Sequence, residues 1–268
     1  MRLGINIRTA NTYCGGWDTL VARLTELNPA YVRTVCPRSY PHGDFQLLER
    51  IQRAINPVFV LTTKLQPTDT ITHAMPDIEA IVTYCSAAGM KIMLEAPNEW
   101  DKILPTTNTA GNQAVREAYA PLELFTRNLL KLGLQTRTEV ILPSLIRDYA
   151  PQIGFSWIEG KAIHNLHYYG HQGYEAWYDQ QRYKIQATPC ARKFITEFGY
   201  RREELPMGNP NDVFRWQLDR FKAFEAAILF ELADNTSQNQ FGLLDTTGTP
   251  RNPAYWTETV ALFKAYNS

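Results

Sequence analysis

Three observations on the sequence predict an α/β fold, namely a single (β/α)8 barrel. Eight short apolar segments recur along the chain, and a helix-like segment follows each of them. Strands that alternate with helices pair in parallel through right-handed crossovers. The chain has 268 residues, 44% of them hydrophobic, which suits one barrel of this kind and its core. No Gly/Ser-rich linker or charge run interrupts residues 1–268, so one domain is expected.

Each predicted strand is a short apolar run. In chain order these runs are Leu3–Ile7, Tyr31–Val35, Val58–Thr62, Lys91–Glu95, Glu139–Leu142, Ala162–Tyr168, Lys193–Glu197 and Ile228–Leu232. The predicted helices are Trp17–Leu27, Phe45–Ala54, Pro76–Ala88, Asn112–Leu132, Tyr149–Glu159, Tyr174–Gln186, Asn211–Ala226 and Pro253–Tyr266. Gly89 and Gly133 follow apolar-periodic segments, where a left-handed C-terminal cap would use them, and Asp77 and Asn211 lie near helix starts.

The charge balance argues against a polyanionic partner. The chain carries 27 basic and 27 acidic residues, so its formal net charge is zero and its pI is about 7.0. Binding to nucleic acid or to an anionic membrane depends on clustered Lys and Arg. We therefore expect no nucleic-acid and no membrane partner, and a neutral ligand fits better.

Cysteine spacing and the N-terminus give two further expectations. Cys14, Cys36, Cys85 and Cys190 are irregularly spaced, with no Cys-x-x-Cys pair, and are interpreted as free thiols, with one or two disulfides as the alternative. Met1 is followed directly by the strand-like RLGINIR, so neither a signal peptide nor a membrane span is expected in the chain as given. A cytoplasmic location, release by lysis and secretion with the signal removed all stay open.

Polar residues collect where the predicted strands end. In a (β/α)8 barrel the C-terminal ends of the strands and the loops after them carry the chemistry. The residues at these ends are Asn6, Arg8, Arg33, Asn98, Glu99, His167, Tyr169, Glu197 and Glu231. They should converge on one mouth of the barrel.

Two of these residues are carboxylates that face each other. Glu99 follows the fourth strand in LEAPNEW, and Glu197 ends the seventh strand in KFITEFGY. Such a pair suggests cleavage of a glycosidic bond, and in a retaining enzyme the two groups stand about 5–5.5 Å apart. One must stay ionised through hydrogen bonds and cationic neighbours, while the other must hold a proton to donate.

The motifs around both carboxylates resemble those of the clan-A retaining glycoside hydrolases, which are TIM-barrel enzymes. Glu95-Ala96-Pro97-Asn98-Glu99 is similar to that family's Glu-x-x-Asn-Glu, and Thr196-Glu197-Phe198-Gly199 to its Thr/Ser-Glu-Phe/Tyr-Gly. The resemblance implies that Glu99 is the acid/base, that Asn98 donates a hydrogen bond to the 2-hydroxyl of the sugar, and that Glu197 is the nucleophile.

Three further stretches extend the resemblance along most of the chain. His167-Tyr168-Tyr169 resembles the family's His-x-Tyr on strand six, and Arg33 in YVRTV matches the strand-two Arg that holds the nucleophile ionised. The segment 242–255 is similar to the one that leads into the last helix. One departure concerns strand eight, where many members have a sugar-stacking Trp and this chain has Phe230-Glu231.

The residues also support these roles by their own chemistry. Period-2 alternation places Asn165, His167 and Tyr169 on one face of strand six, so an imidazole and a phenol would enter the mouth together. Arg33 presents a planar fork of donors with a permanent charge, which suits it to hold a carboxylate ionised. Trp100, directly beside Glu99, is the best candidate for stacking on a sugar face.

Plainer interpretations stand beside these. Glu99 and Glu197 could be ordinary surface carboxylates, and Arg33 a core salt-bridge partner. His167 could be a framework histidine, and Glu231 lies either at the edge of the site or in solvent. Glu95 is interpreted as structural. The aromatic residues in the upper loops can stack on sugars or simply pack; they are Tyr13, Trp17, Tyr40, Trp177, Tyr178 and Tyr200.

No cofactor or metal is expected. On a strand, His164 and His167 face opposite ways, and His171 lies in the following loop, which disfavours a shared ion. Neither a Gly-rich phosphate loop nor a Ser nucleophile elbow is found.

The predicted function is retaining hydrolysis of a β-linked oligo- or polysaccharide by double displacement. Glu197 attacks and Glu99 donates and then retrieves the proton, while Arg33, Asn98, Trp100, His167, Tyr169 and Glu231 bind or position the substrate. Short loops suggest an open cleft and internal cleavage. The alternative is a barrel that binds a glycan without cutting it, and a metal-dependent isomerase or deacetylase would need a ligand cluster that the sequence lacks.

Overall fold

The structure, a computed structural model, describes most of the chain. The described residues are 1–37, 43–64, 75–97, 99, 112–144, 162–187, 192–200, 208–234 and 241–268. The predicted helix Tyr149–Glu159 lies outside them, as do Tyr40 and Cys190.

Eight parallel strands lie in the described part of the chain and form a barrel, which confirms the predicted fold class. They are β1 (Arg2–Asn6), β2 (Tyr31–Val35), β3 (Val58–Thr62), β4 (Lys91–Glu95), β5 (Glu139–Ile141), β6 (His164–Tyr168), β7 (Lys193–Phe198) and β8 (Ala226–Leu229). The hydrogen-bonded order is β5-β4-β3-β2-β1-β8-β7-β6. A parallel bridge between Ile141 and Ile163 joins the two ends of this order, and the Ile163 carbonyl accepts from the Leu142 N–H at 2.9 Å.

Helices surround the strands, because each helix buries one apolar stripe against the outer face of the sheet. Those in the described ranges are α1 (Trp17–Leu27), α2 (Gly43–Ile55), α3 (Met75–Ala87), α4 (Asn112–Thr136), α5 (Ala176–Ala187), α6 (Pro210–Arg220) and α7 (Pro253–Asn267). A short 3-10 helix, Tyr13–Gly15, precedes α1. Among the helices in these ranges, none has the length and apolar character that crossing a bilayer requires.

Strand alternation divides the apolar residues into two cores. Side chains that point into the barrel form a small inner cluster: Tyr31, Val60, Met93, Ile141, Ile163, Phe194, Ala226 and Ile228. Their sequence neighbours on the strands, such as Val32, Leu94 and Ile195, pack outward in the larger cluster that includes the helices. The inner cluster fills the barrel below the strand ends, so polar side chains that follow it on the strands lie at the mouth.

The predicted helix Asn211–Ala226 is wrong at its C-terminal end. Helix α6 ends at Arg220, and Ala226 begins β8, two residues earlier than the predicted strand Ile228–Leu232. Alanine is a strong helix former, which extended the helical pattern. Here Ala226 is fully buried in the inner cluster, where the barrel interior requires a small side chain.

The two glycines expected to cap helices behave differently. Gly89 has a φ of +69° just after α3, as a C-terminal cap requires. Gly133 lies inside α4, so its predicted capping role is wrong. A Cβ atom at Gly133 would lie 2.5 Å from the Thr138 carbonyl oxygen. Glycine therefore allows the chain that leads into β5 to pass close to α4.

Three of the cysteines, all in the described ranges, are buried. Cys14, Cys36 and Cys85 form no disulfide, as predicted. Burial raises the pKa of the Cys85 thiol to about 12, and that of Cys36 also rises. Buried thiols of this kind are chemically inert.

Candidate active site

The polar side chains at the strand ends converge on one cluster, as the barrel predicts. Arg33 on β2 lies at its centre and contacts Asn6 on β1, Glu95 on β4 and Glu197 on β7. Four strand ends that are far apart in sequence are therefore joined through one guanidinium.

A β-bulge places Glu197 inside the barrel. Leu166 pairs with Ile195 and His167 pairs with Glu197, so Thr196 is an extra residue in β7. Because Phe194 points inward, strict alternation would turn Glu197 outward toward the helices. With the bulge, both Thr196 and Glu197 point inward, and Phe198 joins the outer core.

Arg33 is 4% exposed and satisfies two carboxylates at once. Its Nε donates to Glu95 Oε2 at 2.5 Å, its Nη2 to Glu95 Oε1 at 3.2 Å, and its Nη1 to Glu197 Oε1 at 2.6 Å. Burial alone lowers the pKa of Arg33, but the charges of Glu95 and Glu197 outweigh it and raise the pKa above its ordinary value. The guanidinium is thus a permanent buried cation.

Glu95 is fully buried and surrounded by donors. Besides Arg33, it accepts from the Thr62 hydroxyl at 2.6 Å, from Asn165 Nδ2 at 2.9 Å and from the Thr196 hydroxyl at 2.8 Å. Burial by itself raises the pKa of Glu95, but the charge and hydrogen bonds of Arg33 outweigh burial, so the pKa is lowered. This arrangement agrees with the structural interpretation of Glu95.

Glu197 is 6% exposed and is held from both sides. Oε1 accepts from Arg33, and Oε2 accepts from the hydroxyl of Tyr169. Burial, followed by the charge of Glu197, raises the pKa of the Tyr169 phenol well above its ordinary value. The phenol therefore stays protonated and donates to the carboxylate throughout the physiological pH range.

Glu99 lies across the mouth from Glu197. Its backbone adopts a left-handed φ of +51°, and its N–H donates to the Ser144 carbonyl at 2.9 Å. Nδ1 of His167 lies 3.3 Å from Glu99 Oε1 and 3.3 Å from Glu197 Oε2. Oxygens of the two carboxylates lie within 4.8 Å of each other, with His167 between them.

Glu231 belongs to a separate ion pair at the edge of the mouth. It is fully buried, and Oε1 accepts from Arg8 Nε at 2.6 Å. Burial raises its pKa in spite of Arg8, and the charges of Asp234 and Glu197 contribute in the same direction. Of the two positions considered from the sequence, the edge of the site and solvent, burial rules out solvent.

The remaining candidates include undescribed residues, packed residues and the exposed Trp177. Asn98 and Trp100 lie outside the described residues. Tyr13 is 3% exposed and its hydroxyl accepts from the Ala233 N–H, so the interpretation of Tyr13 as a stacking residue is wrong. The Trp17 indole donates to the Thr9 carbonyl at 3.1 Å, which agrees with a packing role.

Three donor groups in the described residues are close enough to hold a metal ion: Glu99, His167 and Glu197. Both oxygens of Glu197 already accept hydrogen bonds, one of them from Arg33 at 2.6 Å. A divalent cation bound here would lie beside the permanent positive charge of Arg33, which repels it. The arrangement suits a neutral polar ligand better than a cation. His164 and His171 take no part in the group.

Sequence reasoning missed the hydroxyls that surround Glu95. Thr62 and Thr196 both donate to it, and neither stood out as a functional residue. A buried carboxylate at a strand end needs several donors. The threonines at the ends of strands three and seven could have indicated donors for a buried carboxylate.

No protein-family model and no curated protein matches the sequence. Solved structures do share the fold. A β-glucuronidase from Parabacteroides merdae superposes with a TM-score of 0.63 at 10% identity, over 100% of this chain and 36% of that one. A β-glucuronidase from Bacteroides uniformis superposes with a TM-score of 0.67 at 13% identity, over 98% of this chain and 35% of that one. The cellulase Cel5C_n superposes with a TM-score of 0.64 at 14% identity, over 97% of this chain and 86% of that one.

These likenesses confirm the barrel fold that the sequence resemblance implied. The chain spans about a third of the length of the two glucuronidases, and identities of 10–14% establish the shared fold alone. The assignment of chemistry therefore depends on the geometry of the strand-end cluster.

The Arg33 cluster predicts a specific pH dependence of stability. The pKa of Glu95 is lowered on folding, so its contribution is fully present above the pKa of the unfolded chain, about 4.3, and is lost as the pH falls through the folded pKa. Arg33→Gln should lower the free energy of unfolding at pH 7 by about 3–5 kcal/mol, because two carboxylates stay buried without their cation.

The deficit should narrow on acidification. Without Arg33, burial favours neutral Glu95, so the gap to wild type measured by urea unfolding should shrink between pH 7 and pH 5. Arg33→Lys keeps the charge and should show a smaller deficit with little pH dependence. A gap that is constant with pH in Arg33→Gln would contradict the electrostatic account.

Proposed function

We propose that this barrel is a retaining glycoside hydrolase that cleaves a β-linked oligo- or polysaccharide, with Glu197 as nucleophile and Glu99 as acid/base. One observation carries the proposal. One oxygen of Glu99 and one oxygen of Glu197 lie within 4.8 Å of each other at the mouth of the barrel. Retaining enzymes hold their carboxyl groups about 5–5.5 Å apart, whereas inverting enzymes need about 6.5–9.5 Å to admit a water molecule.

In the first half-reaction, a Glu197 oxygen attacks the anomeric carbon and forms a glycosyl ester as the glycosidic C–O bond breaks. Glu99 gives its proton to the departing oxygen, so the leaving group departs as a neutral alcohol. In the second half-reaction, Glu99 takes a proton from water, and the water oxygen replaces Glu197 at the anomeric carbon. Two inversions give net retention.

The surroundings of the two carboxylates support this division of roles. Glu197 accepts hydrogen bonds from a buried permanent cation and from a phenol, and these two bonds fix the orientation of its carboxylate for attack. The Glu99 side chain is 17% exposed, against 7% for Glu197, which suits a group that must exchange protons with a leaving group and with water. His167 contacts both carboxylates and helps to fix their relative positions.

We further infer that the substrate is a polymer and that it is cleaved internally. Both inferences rest on the short loops inferred from the sequence, which leave little room for a lid domain. The cellulase and the glucuronidases that share the fold act on carbohydrate, in keeping with a glycan substrate. Anomeric retention can be followed by proton NMR of the first product formed.

Replacing either carboxylate should abolish turnover. Glu197→Gln should lower kcat by several orders of magnitude because an amide is a poor nucleophile and cannot form the glycosyl ester. Glu99→Gln should also lower it strongly, because general acid–base catalysis contributes about 10²–10⁴-fold. The assay is release of reducing ends from β-linked glucans, mannans, xylans and galactans, together with a series of aryl β-glycosides. Glu79→Gln, an exposed glutamate on α3, is the matched control and should keep wild-type activity.

Azide separates the two roles. With Glu197→Ala, azide should restore turnover of an aryl glycoside and yield the α-glycosyl azide, because it replaces the enzyme nucleophile directly. With Glu99→Ala, it should yield the β-glycosyl azide by attack on the glycosyl-enzyme. If wild-type protein binds a glycan tightly and never releases reducing ends, the barrel is a binding module and the hydrolase proposal is wrong.

Tyr169 offers a test of how the nucleophile is positioned. Tyr169→Phe removes one donor from Glu197 and should lower kcat roughly tenfold to a hundredfold, because a hydrogen bond to a charged group contributes about 1.5–3 kcal/mol. Tyr168→Phe is the control: the neighbouring phenol donates to Asp179 on the outer side of the sheet. Equal losses in both variants would show that Tyr169 acts through packing.

A further inference from the structure

A cavity of about 300 Å³ is lined by described residues of the stretches 200–214 and 241–256, which come after β7 and β8 in the chain. Five aromatic rings contribute to its wall: Tyr200 after β7, Phe214 on α6, Phe241 after β8, and Tyr255 and Trp256 on α7. None of these rings takes part in the proposed hydrolysis. Leu243 and Pro210 complete much of the apolar lining.

Three polar side chains of the wall are already engaged with protein. Asn252 accepts from two N–H groups at the start of α7 at 2.9 and 3.3 Å. Arg251 donates to Asp234, and the Trp256 indole donates to Glu26 at 2.7 Å. Most of the lining is apolar, so the wall offers few polar groups to replace the hydrogen bonds to water that a sugar ring would lose on entering. The lining therefore favours an apolar occupant over a carbohydrate ring.

The cavity adjoins the proposed nucleophile through one aromatic ring. Phe241 lines the cavity and lies 5.6 Å, between ring centroids, from Tyr169. Tyr169 in turn donates to Glu197. Two aromatic rings, Phe241 and Tyr169, therefore connect the wall of the cavity to the proposed nucleophile.

We propose that this cavity binds an uncharged aromatic group of one or two fused rings, carried by the glycoside substrate. An engineered cavity of about 150 Å³ lined by apolar side chains binds benzene, and sites for small molecules begin at about 300 Å³. The volume therefore fits a group of naphthalene size. The link to the substrate depends on the proposed function, whereas the binding of the aromatic group does not.

The test is calorimetric titration of wild-type protein with 2-naphthol, which requires no turnover. One site per chain is expected, with a negative heat-capacity change because apolar surface is buried. Leu243→Trp fills the cavity and should weaken binding at least tenfold. Leu134→Trp, the same change at a leucine that is 76% exposed on α4, is the control and should leave binding unchanged.

Tyr255→Ala provides an independent variant should Leu243→Trp fail to fold. It removes one ring of the wall and should weaken binding roughly tenfold, which corresponds to about 1.4 kcal/mol. Absence of binding to wild-type protein would overturn the proposal. Binding that neither cavity variant weakens would also overturn it, because the aromatic group would then occupy another site.

Kinetics then distinguish the source of the aromatic group. If the substrate carries it, 2-naphthol should compete with aryl glycosides, and Leu243→Trp should raise KM for naphthyl but not for methyl glycosides. If a free aromatic molecule is the natural occupant, inhibition should be noncompetitive, which overturns the substrate link alone. Naphthol binding without any glycan hydrolysis would refute the hydrolase proposal and leave the cavity assignment standing.

Discussion

The contact between Arg33 and two carboxylates is the interaction on which the rest of the site depends. Each of these charges alone would be expensive to bury, and the group is tolerated because the donors and acceptors satisfy one another. Such satisfaction requires the ends of β2, β4 and β7 to meet on the barrel axis. The pairing of these buried charges therefore depends on closure of the barrel, because only the closed ring brings the three strand ends together.

Glu95 and Glu197 share the same cation but differ in what else contacts them. Glu95 is enclosed by hydroxyl and amide donors from three strands and is fully buried, so its role is to hold Arg33 in place. Glu197 is 6% exposed and lies beside Glu99 and His167. Two residues of one type thus take a structural and a proposed chemical role, and their neighbours make the difference.

Much of the fold could be predicted from the sequence because strand and helix periods are local signals. The bounds of β2, β3 and β4 coincide with their predicted spans, and the mouth residues follow from the rule that strand ends converge. The bulge at Thr196 could not be predicted, because it depends on how β7 pairs with β6 and β8. The extent of α6 was misjudged for a related reason: Ala226 has helical propensity, and only the packing inside the barrel selects a strand. The spacing of Glu99 and Glu197 likewise depends on closure of the whole ring.

A nucleophilic Glu197, oriented by Arg33 and Tyr169, would form a covalent bond to the sugar. The most direct measurement is mass spectrometry of the protein after incubation with an activated 2-deoxy-2-fluoro glycoside of the sugar found active, because the fluorine slows release of the intermediate. The account predicts one sugar adduct per chain, located on the peptide that contains Glu197. An adduct on Glu99, or products of inverted anomeric configuration without any adduct, would contradict it.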